Sequence, residues 1–251
     1  MKTILVTGAS AGFGRAICQE LVQSGYRVIG AARRQEKLED LKKELGESFY
    51  PLSLDLTNKA EVGKALAQLP ENWSMIDVLI NNAGLALGLD KAQEADFNDW
   101  ETMIMTNVLG LSFITNQLLP KLVLKRGQII NIGSIAGTYP YPGGNVYGAT
   151  KAFVKQFSLN LRADLAGTGV RVTNLEPGLC GGTEFSFVRF KGDKERAEKL
   201  YEGTNSIQPE DIAKTIIWLI QQPQHININR LEMMPTSQSF GALPVHIQED
   251  K

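Results

Sequence analysis

Short runs of almost unbroken apolar residues recur along the chain, each followed by a longer segment with helical periodicity. No other feature restricts the fold as much. Residues 3–7, 27–29, 77–80, 128–132 and 170–173 are rich in Val, Ile and Leu without polar alternation, as strands covered by helices on both faces must be. A weaker run lies at 49–54. The intervening segments 12–24, 35–45, 59–69, 100–124 and 146–165 carry one apolar stripe each. Strand–helix alternation of this kind predicts an α/β fold of the Rossmann type, a doubly wound parallel sheet with right-handed crossovers. The rhythm loosens over 177–205, resumes with a helix over 209–222 that opens on Pro209, and closes on a strand at 230–233. No linker-like change of composition divides the chain. We therefore expect one domain over 1–251, with a dinucleotide-binding half to about 133 and a catalytic and substrate-loop half from about 134.

Composition narrows the partners. Apolar residues make up 43% and charged residues 21%, with a formal net charge of −1. That supports a large core and argues against a polyanion-binding surface, so no nucleic-acid partner is expected. Residues 102–120 carry no charge and nearly reach membrane length. They include Thr102, Thr106, Asn107, Ser112, Thr115, Asn116 and Gln117, which are costly in hydrocarbon. A buried helix and no membrane association is the expectation. Cys18 and Cys180 are far apart, which suits free thiols in a reducing cytoplasm. His225 and His246 lack metal-like spacing, and no metal is expected.

The first strand runs into Gly8-Ala9-Ser10-Ala11-Gly12-Phe13-Gly14, where a helix begins. Glycines let backbone turn tightly against a pyrophosphate, and the helix start offers N–H groups and a positive dipole end. The spacing G-x-x-x-G-x-G differs from the commoner G-x-G-x-x-G. The second strand ends in Ala31-Ala32-Arg33-Arg34. An acidic residue there would receive ribose hydroxyls, whereas guanidinium groups suit a 2′-phosphate. Arg33 and Arg34 therefore point to NADP rather than NAD. Asp55 and Leu56 follow the third strand, where they can hold an adenine edge. Asn82, Ala83 and Gly84 follow the fourth and bring backbone close to the cofactor.

Tyr147 and Lys151 are four apart near the start of a predicted helix, so both project from one face. A free phenol titrates near 10. A cation about 5 Å away, at an effective dielectric of about 20, favours phenolate by roughly 3 kcal/mol. That makes Tyr147 a plausible proton shuttle. Ser134, just past the fifth strand, can donate to a substrate carbonyl. By itself it reads more readily as a turn residue bonded to its own backbone.

With TGASAGFG at 7–14, NNAG at 81–84, Asn107, Ser134, YGATK at 147–151 and PG at 177–178, the chain resembles the short-chain dehydrogenase/reductases over essentially its whole length. That resemblance implies Tyr147 as catalytic acid/base, Ser134 polarising the carbonyl, and Lys151 lowering the Tyr147 pKa while binding the nicotinamide ribose. It implies Asn107 as holder of a water that links Lys151 to solvent. It also brings Pro177, Gly178, Leu179, Thr183 and Phe185 to the nicotinamide end. GNVYGATKAFVKQFSLNLRADL, EPGLCGGTEFSFVRFKGD and INRLEMMP look like the branch of NADP-dependent 3-hydroxy acid dehydrogenases. These oxidise serine, allo-threonine and related acids and reduce malonic semialdehyde, and the family is commonly tetrameric. A 3-hydroxy acid presents a carboxylate, and Arg189, flanked by Phe187, Val188 and Phe190, is the expected cation, with Tyr139 and Tyr141 near the mouth. An Arg pointing to solvent is the competing reading. Two other functions stay open: reduction of other, larger carbonyls, and a non-catalytic NADPH-binding sensor.

Overall fold

A computed structural model of the chain describes residues 1–241, so the expectation for His246 lies outside the described residues. Seven strands form one sheet: β1 (Thr3–Thr7), β2 (Arg27–Ala32), β3 (Phe49–Ser53), β4 (Val78–Asn81), β5 (Gln128–Ile132), β6 (Arg171–Pro177) and β7 (Arg230–Met233). All pairings are parallel, in the order β3-β2-β1-β4-β5-β6-β7. The α-helices among the described residues are α1 (Gly12–Gln23), α2 (Gln35–Leu45), α3 (Lys59–Ala67), α4 (Phe97–Ile104), α5 (Leu111–Lys125), α6 (Asn145–Asp164), α7 (Phe185–Arg189), α8 (Lys194–Lys199) and α9 (Pro209–Gln221).

The apolar runs feed two cores. Ile4 and Val6 of β1 pack with Ile17 and Leu21 of α1, Leu38 and Leu41 of α2, and Ile212 and Ile216 of α9. Leu5, one residue between them, joins Val62 of α3, Ile114 and Leu118 of α5, and Leu161 of α6 on the other face. Each Ile or Leu taken out of water this way contributes about 1.5–3 kcal/mol. The chain reverses its winding between β1 and β4, the switch point at which such sheets bind ligands beyond the strands' carboxyl ends.

Three local differences from the sequence reading have physical causes. The helix expected over 100–124 starts earlier, because Asp96 caps it by accepting a hydrogen bond from the Asn98 N–H at 2.9 Å. It is also interrupted by a π-helical turn, Met105–Gly110, which turns Asn107 inward. β6 continues to Pro177 because β7, over fifty residues later, pairs with Asn174 through Pro177. Its polar residues are masked as strand formers, yet Glu176 is buried and held bidentately by Arg230 at 2.8 and 2.7 Å. The loose segment over 177–205 contains the short helices α7 and α8.

Candidate active site

The glycine loop follows β1 as expected. Gly8 adopts φ +69°, open to glycine at little cost, and a Cβ on Gly14 would collide with the Gly8 carbonyl oxygen. Ala11 precedes α1 without any side-chain cap, and the first turn of α1 carries no acidic residue. Its leading N–H groups and positive dipole end thus face the loop unclaimed by a side chain, which fits a pyrophosphate.

At the adenosine end the two arginines separate. Arg34 donates from Nε and Nη2 to Ser10 Oγ, at 3.2 and 3.1 Å, linking the end of β2 to the glycine loop. Arg33 is exposed. The second cation beside Arg34 is Lys37, one helical turn on. Both reach Glu184: Arg34 Nη1 lies 2.9 Å from Oε2 and Lys37 Nζ 3.2 Å from Oε1. A cavity of about 720 Å³ adjoins them, walled by Ser10, Gly12 and Lys37 on one side and by Thr183, Glu184 and Tyr201 on the other. Cations where bare ribose hydroxyls would call for a carboxylate fit a phosphorylated ribose.

The other cofactor candidates divide by what their polar groups do. Asn82 donates its amide to the Thr7 carbonyl at 2.8 Å, and Thr7 Oγ1 in turn accepts from the N–H groups of Asn82 and Ala83 at 3.0 Å each. Asn82 and Thr7 therefore stitch β4 to β1 and set the backbone of Ala83 and Gly84. Asp55 Oδ1 is engaged by Thr57, from N at 2.9 Å and from Oγ1 at 2.8 Å, and Leu56 is buried. Gly178 N–H donates to the Met233 carbonyl at 2.8 Å, Leu179 N–H to Gln238 Oε1 at 2.8 Å. Pro177 ends β6 against β7. Thr183 and Phe185 reach across the cleft, Thr183 against Gly12 and Phe185 against Tyr147.

Tyr147 and Lys151 share the inner face of α6, both buried. The ammonium lies 5.9 Å from the phenol ring centroid and donates to the Ile132 carbonyl, the last of β5, at 2.7 Å. Burial pushes Lys151 down from 10.5 to about 8. Burial likewise pushes Tyr147 well above 10, against the opposing pull of the Ser134 hydroxyl. Tyr141 adds to the rise, the Arg189 guanidinium opposes it, and Cys180 adds again. Burial is thus the largest influence on both groups, raising the phenol and lowering the ammonium.

Ser134 performs the local role and faces the cleft as well. Its Oγ accepts from the Ala136 N–H at 3.1 Å and lies 3.5 Å from the Pro177 carbonyl. Asn107 donates to the Leu85 carbonyl at 2.8 Å and to Thr150 Oγ1 at 3.1 Å, and accepts from the Leu85 N–H at 2.9 Å. Its side chain is committed to protein partners, and it stands beside Lys151 where both approach Gly84.

Arg189 points into the cleft, not to solvent. Its guanidinium carbon is 5.5 Å from the Tyr147 ring centroid and 5.6 Å from that of Tyr141; Nη2 donates to the Tyr141 hydroxyl at 2.8 Å and Nε to the Gly88 carbonyl at 3.2 Å. The aromatic neighbours differ from those expected. Phe187 is exposed and Phe190 packs under Arg196, while Tyr141 and Tyr147 surround the guanidinium. Tyr139 lies elsewhere, donating to Glu232 and packing on Phe240.

Lys37, Glu184, Tyr141 and Thr150 belong to this neighbourhood more firmly than the sequence reading placed them. Lys37 was discoverable, being three residues after Arg34 and so one helical turn away. Glu184 carried no such signal, since its partners are about 150 residues earlier.

A glycine loop with a cluster of cations beside it and a buried phenol–ammonium pair, strung along the carboxyl edge of one doubly wound sheet, fit a dinucleotide-dependent oxidoreductase class. The sequence model described as short chain dehydrogenase matches residues 2–192, and the chain belongs to this family. It is 60% identical over 244 residues to a probable NADP-dependent dehydrogenase of Haemophilus influenzae, covering 97% of each chain. It is 57% identical over 246 residues to the NADP-dependent 3-hydroxy acid dehydrogenase YdfG of Escherichia coli K12, covering 98% of this chain and 99% of that one. A solved structure described as the closed form of serine dehydrogenase complexed with NADP+ superposes with a TM-score of 0.97 at 57% identity, covering 98% of this chain and 100% of that one.

Proposed function

We propose that the protein interconverts small 3-hydroxy acids, of the serine, allo-threonine and 3-hydroxypropionate type, and their 3-oxo acids. The chain is an NADP-dependent oxidoreductase of the short-chain dehydrogenase family. One observation carries the substrate class: a guanidinium 5.5 Å from the ring of Tyr147. A substrate whose hydroxyl sits two carbons from a carboxylate can meet both groups at once. Arg189 binds the carboxylate, with Tyr141 orienting the guanidinium. Ser134 donates to the reacting oxygen, and Tyr147 removes its proton in oxidation or returns it in reduction. Lys151 and Asn107 hold the floor beneath Tyr147. Bound NADP supplies the hydride acceptor. Reduction of malonic semialdehyde to 3-hydroxypropionate is the same step in reverse.

The test is NADP+ reduction across L-serine, D-serine, L-allo-threonine, 3-hydroxypropionate and 3-hydroxyisobutyrate, with neutral secondary alcohols as controls. The carboxylates are expected to dominate. In Arg189→Ala their kcat/KM falls by about 10- to 100-fold, the worth of a charge-assisted hydrogen bond, while the controls change little. An unchanged ratio between the two substrate classes rejects the assignment.

We also read the chain as a single domain acting as a cytoplasmic homotetramer. β1 through β7 share one sheet, and Cys18 and Cys180 are free thiols. Leu109, Leu124 and Phe153 are exposed on the α5–α6 side, where Phe153 and Phe157 stack at 5.5 Å, and Trp218 is exposed on α9. Such patches suit association with further copies. A sedimentation mass of one protomer at working concentration is the result that would exclude it.

A further inference from the structure

α7 is pinned at both ends. Before its first residue, Glu184 bridges Arg34 and Lys37. At its last residue, Arg189 accepts from the Gly88 N–H at 2.8 Å through its own carbonyl and donates to the Gly88 carbonyl and Tyr141. Between Glu184 and Arg189 lie only four residues, so α7 cannot shift at one end and stay put at the other. Phe185, next to Glu184, packs its ring 5.8 Å from that of Tyr147. Thr183, on the other side of Glu184, rests against Gly12 of the glycine loop. Burial alone would raise the Glu184 carboxyl, but its hydrogen bonds to Arg34 and Lys37 prevail and hold it below the ordinary carboxylate range.

We propose that Glu184 is a positioning residue: bridged to Arg34 and Lys37, its carboxylate fastens α7 over the cleft and so sets Phe185 and Arg189 against Tyr147. The cations that close the segment are the ones assigned above to the cofactor phosphate, and the inference rests on that reading for its effect on NADPH. The carboxylate and a ribose phosphate then draw on the same two side chains. Fastening α7 favours the small substrate and works against the phosphate. The adenosine and substrate ends of the site are thereby coupled through one short helix, without any change in the sheet between them.

Glu184→Gln keeps the size of the side chain and removes its charge. In this variant trypsin cleavage at Arg189, Lys191 or Lys194 speeds up by about fivefold, and KM for the 3-hydroxy acid rises by a similar factor, the scale of a partly exposed ion-pair network. NADPH binding, followed by fluorescence titration, tightens, because Arg34 and Lys37 lose a competing carboxylate. Glu184→Asp, which retains the charge, recovers most of the trypsin resistance. A merely structural role would weaken both ligands together, and that result overturns the proposal, as does unchanged trypsin sensitivity with unchanged KM. Arg34→Ala separates the two readings. It loosens α7 in either case, and it weakens NADPH if Arg34 holds the phosphate. Faster proteolysis with unaltered NADPH affinity therefore leaves the fastening intact and removes the phosphate assignment.

Discussion

Tyr147→Phe is expected to lower turnover by about 10² to 10⁴ while NADPH still binds, the range that a positioned proton donor or acceptor supplies. The ring is retained, so its packing on Phe185 and its contact with Arg189 survive and the cleft keeps its shape. Only the exchangeable proton is lost. The pH dependence carries a sign. Burial holds the phenol above its ordinary value, so the phenolate needed to accept a proton in hydroxy-acid oxidation is scarce at neutral pH and grows as pH rises. Oxidation should accelerate toward alkaline pH. Reduction needs the protonated phenol, which is abundant at neutral pH, and should stay level there and decline only at alkaline pH. Stopped-flow NADPH binding beside steady-state rates in both directions across pH checks these outcomes. Wild-type turnover in Tyr147→Phe would move the proton transfer to another group.

Lys151→Met should likewise cost on the order of 10² or more in turnover, since it removes the charge beside the phenol proposed as general acid/base. Its second effect is on stability. The folded pKa of about 8 lies below the ordinary 10.5, so between those values the unfolded chain binds the proton that the folded chain has released. Stability contributed by this group therefore rises with pH across that window. The penalty for burying the ammonium is present in full below about pH 8 and disappears above the unfolded value. A difference of this size corresponds to roughly 3 kcal/mol. Urea unfolding of the wild type and of Lys151→Met from pH 7 to 10.5 reads it directly: the gap between the two curves should change with pH. Parallel curves would mean that the ammonium does not titrate in that window.

These two effects share a cause. Tyr147 and Lys151 are buried, covered by Phe185, Arg189 and Tyr141 from one side and floored by Asn107 and the end of β5 from the other. Low polarity penalises phenolate and ammonium alike, yet it strengthens each remaining electrostatic contact. Arg189 already lowers the phenol from outside α6. The carboxylate of a bound 3-hydroxy acid would neutralise that cation, so the substrate itself adjusts the balance of charge around Tyr147.

The sheet, its parallel sense and the loops at its carboxyl edge were legible in the sequence because they follow from short-range periodicity. A run such as Thr3–Thr7 buries both faces wherever it lies, and α2 and β7 fall on the residues expected. Ser134 lies just past β5, and Tyr147 and Lys151 share the inner face of α6, as their positions in the sequence predicted. The tertiary structure alone decided what depends on distant segments. It lengthened β6 through a partner strand that arrives over fifty residues later, and it set Lys37 beside Arg34 while leaving Arg33 exposed. It turned Arg189 inward, joined Glu184 to residues about 150 positions away, and buried Tyr147 so that desolvation pushes its phenol up. Periodicity is a property of neighbours along the chain, whereas desolvation is set by whatever the fold lays on top of a group, and no local pattern reports what that will be.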